Sequence, residues 1–293
     1  MGNRKFLVTG ATGETGRSVV KGLLGLGHHV RAFAHTADHR ADALRSAGAE
    51  VVIGDMLTPS DVADALEGVT GAYFVYPIRP GLVQATAYFA KAARGADLEV
   101  VVNMSQIAAR ENSPNQIIRD HWFAERILDW SGTPVVHLRP TFFLQWLLYP
   151  HAQAAIIEKG IIDLPWGDAT YAPIAPEDLA QFIATVLNDP RPHIGKTHEL
   201  HGAEELNQVQ LATAVGEALG VPVRYQPLEL DAYRRQLEFM GFPELYIEFF
   251  VALANDAREG IFSGWNDLYS KVTGKPPLGV QDFIRLHRSE FSV

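Results

Sequence analysis

The sequence predicts an α/β fold built on a doubly wound parallel sheet, and three observations carry that prediction. Short β-branched or aromatic runs alternate with helix-length amphipathic segments through the first half of the chain. The first such run, Lys5 to Thr9, ends on a glycine-rich loop that opens directly into a helical pattern. Strands separated by helix-length connections pair in parallel through right-handed crossovers, which places helices on both faces of one sheet.

The elements follow in order. After the first strand and its loop, Val19, Val20, Leu23, Leu24 and Leu26 recur at helical spacing until Gly27. Val30 to Ala34 reads as the second strand, Ala41 to Ala47 as a helix, and Glu50 to Ile53 as the third strand, ending at Gly54 and Asp55. A helix over Ser60 to Leu66, capped by Ser60 or Thr58, leads to a strand over Ala72 to Tyr76 that Pro77 breaks. Helix Leu82 to Arg94, strand Val100 to Met104, helix Gln116 to Trp130 and strand Val135 to Leu138 complete the alternation, which Arg139 and Pro140 end.

Beyond about residue 145 the pattern loosens. We therefore expect a Rossmann-type dinucleotide domain over 1–145 and a smaller, mostly helical substrate region over 146–293, with the chain free to cross back to the sheet. In that region Pro176 suits the first turn of a helix running to Leu187, with Leu179, Phe182, Ile183, Val186 and Leu187 on one face. Asn207 and Gln210 form a capping-box pattern for a helix that Gly220 and Pro222 end. The C-terminal helices, with Phe239, Phe242, Tyr246, Phe249 and Phe250, read as a lid over the sheet edge where ligands of open α/β sheets bind.

Composition narrows the function. Hydrophobic residues at 47% and charged residues at 20% fit a packed globular chain and exclude disorder as its main state. A net charge of −9, with no cluster of Lys and Arg, argues against a nucleic-acid binder. With no cysteine there is no disulfide, thiolate metal site or cysteine nucleophile, a composition that suits a reducing compartment. Neither a secretory signal nor an apolar run of about 20 residues is present, so the expected location is cytoplasmic, without membrane contact. The 11 histidines include no His-Glu-x-x-His pattern, and no metal is expected; His28 and His29 read as solvated at a helix-to-strand junction.

The loop spaces Gly10, Gly13 and Gly16 as G-x-x-G-x-x-G. One glycine serves the tight turn, one the close approach of backbone to a pyrophosphate, and one the tight meeting of helix and sheet. The helix N-terminus then offers unpaired N–H groups to phosphate, so Thr12, Thr15 and the backbone of Glu14 join the candidate cofactor site. The Glu14 carboxylate would repel pyrophosphate and is expected to point away. At the end of the second strand stand Ala34, His35 and Thr36 with no acid to bind ribose hydroxyls. His35 and Arg40 could instead meet a 2′-phosphate, against the plainer reading of two solvated surface residues; NADP(H) is favoured, with NAD(H) the alternative. Asp55, with Met56 behind it, is placed to accept from the adenine amino group, or else serves only as a turn aspartate.

Over nearly its whole length the chain resembles the NmrA-like branch of the atypical short-chain dehydrogenases and reductases, which includes NADPH-dependent quinone reductases and triphenylmethane dye reductases. The resemblance rests on the loop from Val8 to Gly16, Gly54-Asp55, His121 with Glu125, Ser131-Gly132, Leu138-Arg139-Pro140, Ala175 to Ala180, Gly195 to Leu200 and Met240 to Glu244. In typical members a Tyr-x-x-x-Lys pair supplies the proton that accompanies hydride. Here those positions fall on Ile117 and His121. Ser105 matches the family's catalytic serine, though a strand-end serine capping backbone explains it equally.

A missing acid points to an acceptor that takes hydride at an electron-poor centre with little help, such as a quinone, an azo compound or a cationic dye. His121 is then a proton donor, a contact to the nicotinamide amide, or a structural helix histidine. Tyr76, Pro77 and Ile78 after the fourth strand, Phe142, Phe143 and Trp146 after the sixth, and Trp166 form the candidate acceptor pocket, Tyr76 and Pro77 also lying toward the cofactor. Each is individually as explicable by core packing. Two other readings stand beside the reductase: a non-catalytic NAD(P)-binding sensor that reports cofactor state to a protein partner or as a homodimer, and a reductase or isomerase of a carbonyl metabolite using a tyrosine such as Tyr76.

Overall fold

The computed structural model describes residues 4–291. The chain divides into two compact units: the first holds the residues up to Arg139 together with Pro176–Glu199, the second Pro140–Ala175 and the chain from Leu200 onward.

The first unit begins with β1 (Lys5–Val8), α1 (Glu14–Gly25), β2 (His29–Ala34), α2 (His39–Ser46) and β3 (Glu50–Ile53). It continues with α3 (Pro59–Leu66), β4 (Gly71–Phe74), α4 (Leu82–Gly95), β5 (Val100–Met104), α5 (Gln116–Ser131) and β6 (Val135–Pro140). The chain then enters the second unit through α6 (Pro150–Lys159), β7 (Ile161–Leu164) and β8 (Thr170–Tyr171). It returns to the first for α7 (Pro176–Asn188) and β9 (Thr197–Leu200).

The seven strands run parallel in the order β3-β2-β1-β4-β5-β6-β9, so strand order reverses between β1 and β4. That reversal is the switch point at which doubly wound sheets bind ligands. Strand alternation sorts the two faces. Leu7, Ala72, Phe74, Val101 and Val135 pack under α3, α4 and α5 through Val62, Leu66, Phe89 and Leu128. On the opposite face α1 packs against α7, and Gly22 lets the two helices approach until its Cβ position lies 3.4 Å from that of Ala184.

Three local readings are corrected. β4 ends at Phe74, because Tyr76 turns into the core instead of extending the strand. His28 is buried, not solvated: its Nε2 meets Asn188 Oδ1 at 3.0 Å at the end of α7, and its ring stands edge-on to Phe6. The segment from Gly195 to Leu200 contributes a seventh strand, its alternating exposed and buried residues being the period-2 signature of an edge position.

The second unit continues with β10 (Leu206–Asn207), α8 (Gln208–Leu219), β11 (Arg224–Pro227), α9 (Leu230–Phe239), α10 (Glu244–Arg258), α11 (Leu268–Thr273) and α12 (Val280–Leu286). β7 pairs with β11 in parallel and β8 with β10 antiparallel. Asn207 and Gln210 close the capping box on α8 in both directions at 2.9 Å. At the other end of α8, Arg288 donates to the carbonyls of Ala218 and Leu219, where a cation favours the negative helix pole. Of the C-terminal aromatics, Phe249 is buried while Phe239 is 93% exposed. Among the described residues no helix is long and apolar enough to cross a membrane, and no three metal-ligating side chains gather.

Candidate active site

The glycine loop joins β1 to α1 beside the switch point. Gly10 adopts φ +54°, and its own Cβ position lies 2.7 Å from Val75 Cγ1, so both conformation and space demand glycine there. At Gly16 a Cβ would stand 2.8 Å from the Gly10 carbonyl carbon, 2.9 Å from Ala11 Cα, and nearer still to the Gly10 oxygen. The turn closes through Gly13 N–H to the Gly10 carbonyl at 2.9 Å. Gly13 is the N-cap of α1 and brings no side-chain cap, so the first-turn N–H groups that a diphosphate needs are left available.

Side chains around the loop agree with this. The Glu14 carboxylate turns to the Arg17 guanidinium, away from the cradle. Thr15 Oγ1 meets the Tyr73 hydroxyl at 3.2 Å; burial pushes that phenol above its ordinary range, so it stays protonated and anchors the first turn of α1 to the sheet. Thr12 is half-buried. Thr9 Oγ1 accepts from Val75 N–H at 2.8 Å, tying β1 to the chain leaving β4.

At the end of β2, His35 and Arg40 are exposed. Sequence reading passed over Asp38, which caps α2 by accepting from the Arg40 and Ala41 N–H groups. Its other carboxylate oxygen takes the Arg40 side chain at 2.6 and 3.1 Å. That side-chain bond above all brings the Asp38 carboxyl down to about 2. Asp55 Oδ1 accepts from Leu57 N–H at 2.9 Å in a short turn, while Asp55 N–H donates to Asp61; Met56 beneath it is buried.

Ser105 directly follows β5, and His121 stands one helical turn before Glu125 on α5. Glu125 is fully buried and forked onto Arg139 of β6, with Nε to Oε1 at 2.8 Å and Nη2 to Oε2 at 2.6 Å. Burial, the largest single influence, would raise the Glu125 carboxyl, but the Arg139 hydrogen bonds and charge, the Ser105 hydroxyl and nearby His137 together hold the group below its usual range. Ser105 Oγ and His121 Nδ1 are both enclosed and make no well-formed hydrogen bond. Burial drives the His121 imidazole down to about 4, so it is neutral at pH 7. Behind them Asn103 Nδ2 meets His137 Nδ1, and His137 Nε2 meets Asp129 Oδ1, each at 3.0 Å.

This polar layer was missed in the sequence, although Asn103, Ser105, His137 and Arg139 fall at alternate positions of two otherwise apolar strands, all facing α5.

Of the candidate pocket residues, Tyr76 is a core side chain whose hydroxyl donates to the Pro80 carbonyl at 3.2 Å and accepts from Arg79 Nε at 3.3 Å. It is not free to protonate a substrate. Pro77 and Ile78 beside it are exposed. In the second unit Phe142 and Trp166 stack edge-to-face at 5.0 Å and share a cluster with Tyr171 and Phe262. Phe143 is half-buried and bridges to Ile174. Trp146 lines a small cleft with His151, Asp163, Tyr233 and Met240.

The residues from 10 to 190 match the sequence model of the NAD(P)H-binding family, a span that includes the glycine cradle, the polar layer and α7. The chain belongs to that family.

An NAD(P)H azoreductase of Xenophilus azovorans is 31% identical over 98% of this chain and 99% of its own. Among solved structures, the Citrobacter sp. triphenylmethane reductase complexed with NADP(H) superposes with a TM-score of 0.85 at 24% identity, over 96% of this chain and 99% of that one. The negative transcriptional regulator NmrA in complex with NADP shares the fold as well, with a TM-score of 0.83 at 19% identity over 97% and 95%. Within this family the chain is an NAD(P)H-dependent oxidoreductase by kinship.

Proposed function

We propose that the chain is a reductase that uses NADPH in preference to NADH and passes hydride to a planar, electron-poor aromatic such as a quinone or a dye, without a tyrosine acid. The observation that carries this reading is the pairing of a glycine cradle with an enclosed His121 Nδ1 that has no partner and an enclosed Ser105 hydroxyl beside buried Glu125. A buried polar atom left unsatisfied costs about 1–3 kcal/mol, which a ligand that hydrogen-bonds to it would offset.

The residues present fit the cofactor: the missing Cβ atoms of Gly10 and Gly16 let the loop close tightly on Val75 and on itself, and the side-chain-free N-cap at Gly13 leaves first-turn N–H groups for a diphosphate. Gly10, Thr12, Gly13, the Glu14 backbone, Thr15 and Gly16 would hold the diphosphate, Asp55 and Met56 the adenine, and His35 with Arg40 the 2′-phosphate. Tyr76 would act through its packing and the adjoining Pro77 through direct contact. A bound reduced nicotinamide supplies a hydride.

The chain's own residues position and shield. Ser105 hydroxyl and the neutral His121 imidazole orient the reacting partners by hydrogen bonding, and the Glu125–Arg139 fork fixes both. An imidazole at about 4 carries no spare proton at pH 7, so His121 acts as a neutral donor and not as an imidazolium acid. Within the second unit Phe142, Phe143, Trp146 and Trp166 offer aromatic surface of the kind a flat acceptor needs, and within the first exposed Ile78 offers an apolar side chain.

The test is consumption of NADPH and of NADH with a panel of quinones, azo dyes and triphenylmethane dyes. Turnover with a planar acceptor, faster with NADPH, is expected. Cofactor binding with no turnover on any acceptor would overturn the reductase reading and favour the sensor, to which the absent tyrosine is equally suited.

A further inference from the structure

β2 runs parallel beside β1, Val8 standing opposite Ala32, so the residues after Ala34 leave the sheet at the same edge as the glycine loop. Whatever discriminates a ribose 2′-phosphate from a 2′-hydroxyl belongs in that stretch. Its strong cation is Arg40; the histidines His35 and His39 are exposed, and the next acid, Asp42, is paired along the helix with Arg45. One edge of the exposed Arg40 guanidinium is already engaged. Its Nε and Nη2 both face Asp38, while the same carboxylate takes the Arg40 and Ala41 N–H groups at the start of α2.

One carboxylate thus occupies both attractions that this turn would offer a phosphate, the helix N-terminus and the basic side chain. An ionised carboxylate has about four lone-pair sites, and these four donors fill them. Asp38 therefore has no capacity left to accept from ribose hydroxyls, the task an acid beyond this strand usually performs.

We propose that Asp38 sets the cofactor preference by compensating the charge of Arg40: a 2′-phosphate meets that guanidinium with a carboxylate already on its Nε–Nη2 edge, so NADP(H) is favoured over NAD(H) by less than Arg40 alone would give. The inference rests on the glycine loop being the cofactor site. It explains how a turn with an exposed arginine can serve both cofactors.

The experiment is equilibrium titration of the full chain with NADPH and NADH by nicotinamide fluorescence, repeated with 2′,5′-ADP and 5′-ADP as competitors. Asp38→Asn and Asp38→Ser both keep an N-cap acceptor while removing the charge. Each is expected to tighten NADPH and 2′,5′-ADP by about two- to fivefold and to leave NADH and 5′-ADP within error, a range suited to an exposed pair. Adding Arg40→Gln to either variant is expected to return the ratio to or below that of the unmodified chain. An unchanged NADPH-to-NADH ratio in both Asp38 variants, with both cofactors still bound, overturns the proposal and leaves the cofactor site standing. Failure of the unmodified chain to bind either cofactor overturns the site and the proposal together.

Discussion

At the scale of single residues, the site depends on two positions where nothing else fits. Gly16 meets the backbone of Gly10 and Ala11 so closely that a methyl group cannot be absorbed by a side-chain rotation. Gly16→Ala should therefore cost at or above the upper end of the about 1–3 kcal/mol typical of overpacking, and should weaken cofactor binding because α1 is pushed off the loop. Thermal denaturation and a cofactor titration check both; an unshifted transition with unchanged binding would contradict the crowding. Arg139 is the second position. Arg139→Met removes both forked hydrogen bonds from the buried Glu125 carboxylate and leaves it with the longer Arg126 Nη2 contact at 3.2 Å, a loss of about 3 kcal/mol. In the unmodified chain the folded Glu125 pKa lies below its reference value of 4.5, so the pair's contribution is present above about pH 4.5 and fades as pH falls through the lower folded value. Without Arg139 the main group opposing burial is gone, the folded pKa moves up, and the stabilisation that the unmodified chain gains as pH rises through this range is reduced. Urea midpoints at about pH 4, 5.5 and 7 should show the gap between the two proteins widening with pH. A constant gap would mean that Arg139 contributes packing and not charge.

Elements show which features the chain announces and which it conceals. Helix α8 was legible because its start is local chemistry: Asn207 and Gln210 exchange side-chain and backbone bonds within one turn, and Gly220 ends it at φ +77°. Asn207→Ala should lower stability by about 1 kcal/mol and Asn207→Ser by much less, read as the shift in melting temperature. Equal shifts for the two would show that the cap bond contributes nothing. The glycine loop, β5 and α5 were legible for the same reason, each carrying its pattern within itself. The polar layer beneath α5 was not, because Glu125 and Arg139 find each other only after the sheet has formed, and Ser105 looks the same whether it caps a strand or faces a buried glutamate. Asp38 escaped attention for a related reason: the absence of an acid was judged at His35 and Thr36, but helix capping brings the carboxylate of Asp38 back onto Arg40. Tyr76 and His28 misled in opposite directions, one offered as a site residue and the other as solvated, because burial depends on partners such as Pro80 and Asn188 that sequence spacing does not reveal.

Across the whole molecule the order of the chain and the order of its packing differ. The pattern of alternating strands and helices fades near residue 145, yet the first unit is completed only when residues 176–199 return with α7 and β9. Leu179, Phe182, Ile183, Val186 and Leu187 of α7 are each fully buried. At about 1.5–3 kcal/mol per side chain their burial is on the order of 10 kcal/mol, comparable to the entire net stability of a domain. Part of that surface meets α1, the helix whose N-terminus builds the cofactor cradle, through the close approach at Gly22 and Ala184. A fragment of residues 1–145 should consequently lack a cooperative thermal transition, bind a hydrophobic fluorescent dye and fail to bind NADPH, although it holds every glycine of the loop. A sharp transition with retained cofactor binding in that fragment would show that the first six strands suffice. The expected failure would make the late-returning segment part of the cofactor-binding machinery through α1, so that substitutions along α7, such as Phe182→Ala, should weaken NADPH binding in proportion to their loss of stability while leaving every residue of the cradle unchanged.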